Sequence, residues 1–225
     1  MIGQLKNSRL LIFAIFSVCF VITSTGYSQV TPPEDFLGFK PGADFHLANY
    51  EQAIGYFELI AGQTDRMQIF DMGATSEGRR MKYAIISSED NMSRLDRYKE
   101  ITRRLSLVRG VSEDEAQSLA DEGKAIVWID GGLHATEVAP AQHHLQLAYD
   151  MVTGEDRRSQ FIRENVILLL VFANPDGLTI VSDWYMSNVG TPYETSRLPV
   201  LYQKYAGHDN NRDSFISNLV ETQNM

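Results

Sequence analysis

The spacing of apolar positions divides the chain into a short series of elements. Residues 48–62 place Tyr50, Ile54, Phe57, Leu59 and Ile60 at helical intervals, and Gly62 closes the run. Met67 to Met72 and Met81 to Ser87 are short apolar runs with Gly73, Ser76, Glu77 and Gly78 between them, the pattern of a β-hairpin. Helical spacing returns over 91–105, where Arg94, Arg97, Lys99, Arg103 and Arg104 make a solvated basic face. Ser112-Glu113-Asp114-Glu115 has the form of a capping box and predicts a helix to about Glu122. Ala125 to Ile129 is a continuous apolar run of strand length, a helix is expected from about Glu137 to Met151, and Val166 to Phe172 is a second such strand. Residues 29–47, with Pro32-Pro33 and Pro41-Gly42, predict an extended leading segment. Residues 178–207 predict a long irregular connection rich in aromatics, either a binding loop or a cover over the sheet.

Two strongly apolar strands separated by a helix make a βαβ unit buried on both faces. The fold class expected is α/β: a mixed, mainly parallel sheet flanked by helices, with an antiparallel hairpin at one edge. In such sheets ligands bind beyond the carboxyl ends of the strands.

The amino terminus follows a different rule. Lys6 and Arg9 precede the apolar run Leu10 to Ile22, and Gly26-Tyr27-Ser28 supplies small residues where a signal peptidase reads. Residues 1–28 are therefore expected to be a secretory signal cleaved after Ser28, the run being short of the roughly 20 apolar residues of a membrane span. That predicts a secreted or periplasmic protein with no stable membrane association. The single cysteine, Cys19, lies inside the signal, so the mature chain offers neither a disulfide nor a thiolate. The net charge of −9 becomes more acidic once Lys6 and Arg9 leave, which argues against nucleic acid and anionic membranes as partners.

The candidate chemistry begins where the first apolar strand breaks. Gly131-Gly132-Leu133-His134-Ala135-Thr136-Glu137 sets a histidine and a glutamate three residues apart at a helix start. A turn there points both side chains at one spot, and zinc takes imidazole nitrogen and carboxylate oxygen readily. A catalytic zinc uses three protein ligands and an open position; this motif holds two. The second strand runs into Asn174-Pro175-Asp176-Gly177, read as a tight turn beside the first strand end. Further on, Gly207-His208-Asp209-Asn210-Asn211-Arg212-Asp213 is dense in polar groups, and an arginine fork can bind a carboxylate through two parallel hydrogen bonds.

Taken in order, these motifs resemble the zinc carboxypeptidase family, the relatives of pancreatic carboxypeptidase A. Ser76-Glu77-Gly78-Arg79 is similar to that family's early Ser-x-Gly-Arg segment, and the wording of 207–213 is nearest to secreted bacterial members. The resemblance covers roughly residues 46–220. It implies a zinc-dependent metallocarboxypeptidase that removes C-terminal residues from peptides or proteins, with His134 and Glu137 as Zn2+ ligands. It also implies that Asn211 and Arg212 hold the substrate's terminal carboxylate and that Arg197 serves as the oxyanion-stabilising arginine.

The sequence departs from the family at several points. Thr136 stands where the family has an arginine within His-x-x-Glu. The family's third zinc ligand, its catalytic glutamate and its substrate-capping tyrosine follow well after Asn-Arg, and none is present between Arg212 and Met225. Residues 48–225 are thus expected to be a truncated catalytic domain lacking its C-terminal strands, with weak zinc binding and little or no peptidase activity. His46, His143, His144 and His208 read as packing or surface residues. Two other readings remain: an amide deacylase on the same scaffold, and a non-catalytic secreted domain that binds peptide C-termini.

Overall fold

The computed structural model describes residues 30–225 except Val108, Tyr205, Gly207 and Asp209. The expected signal and Cys19 lie outside the described residues. The leading segment is not wholly extended. Pro33–Leu37 forms a short helix, α1, because Pro33 suits the first helical position, Glu34 and Asp35 favour the dipole, and Gly38 ends the turn at φ +79°.

Helix α2 (Tyr50–Ala61) begins with a complete capping box between Asn49 and Gln52. It buries Tyr50, Ile54, Phe57 and Ile60. Strands β1 (Met67–Ala74) and β2 (Arg80–Ile86) form the expected hairpin, with a register irregularity between Asp71 and Gly73. Helices α3 (Glu89–Ser93), α4 (Leu95–Leu107) and α5 (Glu113–Glu122) follow, and the Ser112 side chain caps α5 by accepting from the Glu115 N–H.

Strand β3 (Ala125–Gly131) is joined to β4 (Val166–Phe172) through α6 (Val138–Thr153) and α7 (Arg157–Asn165). The strand order is β1-β2-β4-β3. The sheet is mixed, as expected, with the hairpin at one edge. Parallel pairing, however, is confined to β3–β4; β2 runs antiparallel to both β1 and β4. The βαβ unit supplies only that one pair, and the hairpin docks on it through β2.

Helices cover both faces. One core layer joins α2 and α6 to the sheet around Phe172, whose ring meets Tyr50, Phe57 and His144 at 5.8, 5.1 and 5.5 Å between centroids. The other joins Tyr98, Ile101 and Leu119 of α4 and α5 to Ile85 and Ile167. Strand β3 is less buried than its composition predicts: Ile126, Val127 and Trp128 are 47%, 37% and 41% exposed. It is, with β1, one of the two edge strands among the described residues, so one of its edges has no strand partner there. No helix among the described residues is long and apolar enough to cross a membrane.

Candidate active site

The carboxyl ends of β3 and β4 lie side by side, Gly131 opposite Phe172, and the Ala173 N–H donates to the Gly131 carbonyl at 3.1 Å. Both chains leave the sheet there. On β3 the exit requires glycine: a Cβ on Gly131 would sit 2.9 Å from His144 Cε1 and 3.0 Å from the Pro140 carbonyl. Gly132 follows at φ +74°, where other residues are strained. His144 fixes the approach of α6 by contacting the Ile129 carbonyl through Nε2 at 3.1 Å. Burial lowers its pKa, so it is neutral at pH 7 and serves packing, as the sequence suggested.

The loop then turns through 133–137. The Glu137 N–H donates to the His134 carbonyl at 2.9 Å, and Glu137 occupies the cap position of α6. That turn brings His134 Nδ1 and Glu137 Oε1 to 3.2 Å. Two tetrahedral zinc ligands at about 2.0–2.1 Å stand roughly 3.3 Å apart, so this separation suits the metal. The donors are also accessible, with side-chain exposures of 23% and 67%. No group of three or more His, Cys, Asp or Glu able to hold a metal occurs among the described residues. His208 is engaged with Asp213 at 2.9 Å.

On β4 the exit is not the tight turn that Asn-Pro and Asp-Gly predict. It is the start of α8 (Pro175–Asn188), with Asn174 capping by accepting from the Gly177 N–H at 2.8 Å and Pro175 at the first position. The first part of the expected irregular stretch, 178–188, is therefore helical, and no further helix or strand occurs among the described residues up to 207. Asp176 is buried and accepts three hydrogen bonds from the hairpin turn: Thr75 Oγ1 at 2.8 Å, the Glu77 N–H at 2.9 Å and Arg79 Nη1 at 2.8 Å. Arg79 also donates to Glu51, which accepts from Thr179. Desolvation would raise the Glu51 carboxyl, but Thr179 and Arg79 hold it below its usual value. The Ser-Glu-Gly-Arg and Asn-Pro-Asp-Gly motifs are thus one structural unit. Asp176, within a motif singled out for its position alone, was the residue whose role the sequence reading missed.

That unit backs the His134–Glu137 loop. A Cβ on Gly177 would lie 2.7 Å from the Ala135 Cβ, so the first turn of α8 presses on the residue between His134 and Thr136. A glycine is needed for that approach.

Asn211 and Arg212 share a 3-10 turn, Asn210–Asp213. Arg212 is exposed and its Nη1 donates to the side-chain oxygen of its neighbour Asn211. Beneath them Asp213 is buried. Burial would raise its carboxyl, but the N–H groups of Leu219 and Asn218 and the His208 ring hold it down to about 2. Arg197 is exposed in the wall of a cavity of about 960 Å³ whose lining includes Thr136 but none of His134, Glu137, Asn211 and Arg212.

Similarity to known proteins agrees with the motif order. The zinc carboxypeptidase family matches residues 55–222. Among solved structures, thrombin activatable fibrinolysis inhibitor is 12% identical, with 67% of this chain and 31% of that chain covered and a TM-score of 0.44. Carboxypeptidase A from Helicoverpa armigera is 17% identical over 72% of this chain and 33% of that one, TM-score 0.42. A metallo-carboxypeptidase from Burkholderia cenocepacia is 17% identical over 60% and 29%, TM-score 0.41. The chain therefore spans about a third of the length of these structures. No curated protein matches. With its family match running over most of its length, the chain belongs to the zinc carboxypeptidase family.

Proposed function

We propose that this chain carries part of the active site of an exported zinc-dependent carboxypeptidase acting on the C-termini of peptides. The observation that carries the reading is the convergence of His134 Nδ1 and Glu137 Oε1 to 3.2 Å at the end of β3. These two side chains would hold the metal. When bound, zinc supplies a Lewis acid for the scissile carbonyl and lowers the pKa of a bound water. The protein's own part is positioning. Asn211 and Arg212 present an amide and a guanidinium to the terminal carboxylate of the substrate, which selects the last residue and orients the amide. Arg197 is the candidate for the arginine that meets the developing oxyanion.

The test is calorimetric titration of zinc into the chain and into His134→Ala, with release of C-terminal residues followed in parallel. The expected result is weak zinc binding that His134→Ala abolishes, with little or no release by this chain, because no group of three or more donors converges among the described residues. Zinc binding unaltered by His134→Ala would overturn the assignment.

A further inference from the structure

A cavity of about 960 Å³ lies beside the site, and none of the site residues His134, Glu137, Asn211 and Arg212 lines it. It adjoins the His134–Glu137 loop, since Thr136 and Val138, on either side of Glu137, form part of its wall. Two further walls are the outer surfaces of α6 and α8, both anchored in the core. Segment 41–47 makes another wall and is tied down at its end. Gln142 of α6 binds both the N–H and the carbonyl of Ala48, at 2.9 and 2.8 Å, and Ser182 of α8 donates to that carbonyl at 3.1 Å.

The chemistry of the wall selects its ligand. Phe45, Trp184, Tyr185, Val200 and Leu201 give it broad apolar surfaces, and Val200 and Leu201 are 57% and 70% exposed. Its charges are mixed, Asp44 and Glu194 against Arg197, so it favours no ion of one sign. Phe45 carries a second, independent observation. Its φ is +64°, a left-handed conformation costly for a bulky side chain, and its ring is 58% exposed. Strained backbone clusters at ligand clamps, and here it presents a largely exposed aromatic ring in the cavity wall.

We infer that this cavity is the subsite for a large apolar or aromatic side chain on the amino side of the scissile peptide bond. The inference rests on the proposed function. With the terminal carboxylate at Asn211 and Arg212, neither of which lines the cavity, the space beside Thr136 is left for the preceding part of the substrate.

The experiment follows Trp184 fluorescence in the full chain carrying Trp128→Phe, which leaves Trp184, in the cavity wall, as the one tryptophan. The first arm uses N-acetyl-phenylalaninamide and N-acetyl-alaninamide, which have no carboxylate. The phenylalanine ligand is expected to bind about tenfold more tightly or better, the increment for burying a large apolar side chain. Ala139→Phe, on the exposed wall of α6, should fill the space and erase that ratio. Phe45→Gly should weaken the phenylalanine ligand while leaving the melting temperature unchanged or higher, an outcome a purely structural Phe45 would not give. Equal affinities in the parent, or a ratio that survives Ala139→Phe, overturns the inference. The second arm compares N-acetyl-phenylalanyl-leucine with its C-terminal amide, in the parent and in Arg212→Ala. If the carboxylate adds no affinity while the phenylalanine-to-alanine ratio stands, the carboxylate assignment to Arg212 fails and the apolar ligand class of the cavity holds.

Discussion

Replacing Asp176 with asparagine isolates the unit that backs the His134–Glu137 loop. The carboxylate accepts from Thr75 and Arg79 on Oδ1 and from the Glu77 N–H on Oδ2. An amide retains an oxygen for Thr75 and Arg79 but turns an NH2 towards the Glu77 N–H. Losing that bond to a charged acceptor costs about 1.5–3 kcal/mol. The ion pair adds less, because the Arg79 side chain is 28% exposed and keeps Glu51; about 1 kcal/mol is the size of such pairs. The expected loss is therefore about 2–4 kcal/mol, a large share of a typical domain's stability. Urea unfolding should show a lower midpoint with an unchanged slope, and the melting temperature should fall by roughly 5–15 °C. Glu51→Gln, which removes only the more exposed partner of Arg79, is the control and should cost less than about 1 kcal/mol. A loss for Asp176→Asn no larger than the control's would refute the reasoning, since it would mean that water replaces those donors at no cost.

Two further outcomes test the same region. Gly177→Ala forces a methyl to 2.7 Å from Ala135, so it should destabilise by about 1–3 kcal/mol and weaken zinc binding together, read by denaturation and by zinc titration. Asp213 has a folded pKa of about 2, below the roughly 3.9 of an unfolded aspartate, so it contributes stability above the unfolded value that is lost as pH falls towards 2. Asp213→Asn should therefore flatten the acid limb of a stability profile between about pH 4 and 2, and an unaltered limb would refute the account.

What was legible in the sequence follows from what each signal depends on. The cores of α2, β1, β2, α5, β3 and β4 were readable because local apolar spacing and a serine cap decide them. Helix α7 was not: Arg157–Asn165 holds one adjacent apolar pair, and Phe161 is 63% exposed, so no apolar stripe marks the helix. It is held instead by Asp156 as its cap and by Arg163, whose guanidinium meets the carbonyls of Met151 and Gly154 at the end of α6. The start of α8 was misread because the same residues serve both turns and helix starts. An asparagine cap, a first-position proline and an early aspartate are also a helix amino terminus, and the buried Leu178, Val181 and Ser182 decide for the helix. His134 and Glu137 were legible as a pair because a turn of three residues fixes them. The role of Asp176 was not, because its donors lie about a hundred residues earlier, in the hairpin.

That contrast separates the proposed metal ligands from their support. Glu137 is an exposed side chain and His134 a partly exposed one on a turn, so His134→Ala should abolish zinc binding at a smaller cost in stability than Asp176→Asn. The support is buried and non-local: the hairpin holds Asp176, Asp176 fixes the first turn of α8, and Gly177 brings that turn against Ala135. Substitutions there are expected to move stability and metal affinity together, because Gly177 packs directly against Ala135, inside the loop. A variant of Gly177 or Asp176 that lost stability yet kept full zinc affinity would show that the loop holds its own geometry through Gly131, Gly132 and α6 alone, and the hairpin would then be scaffold without influence on the site.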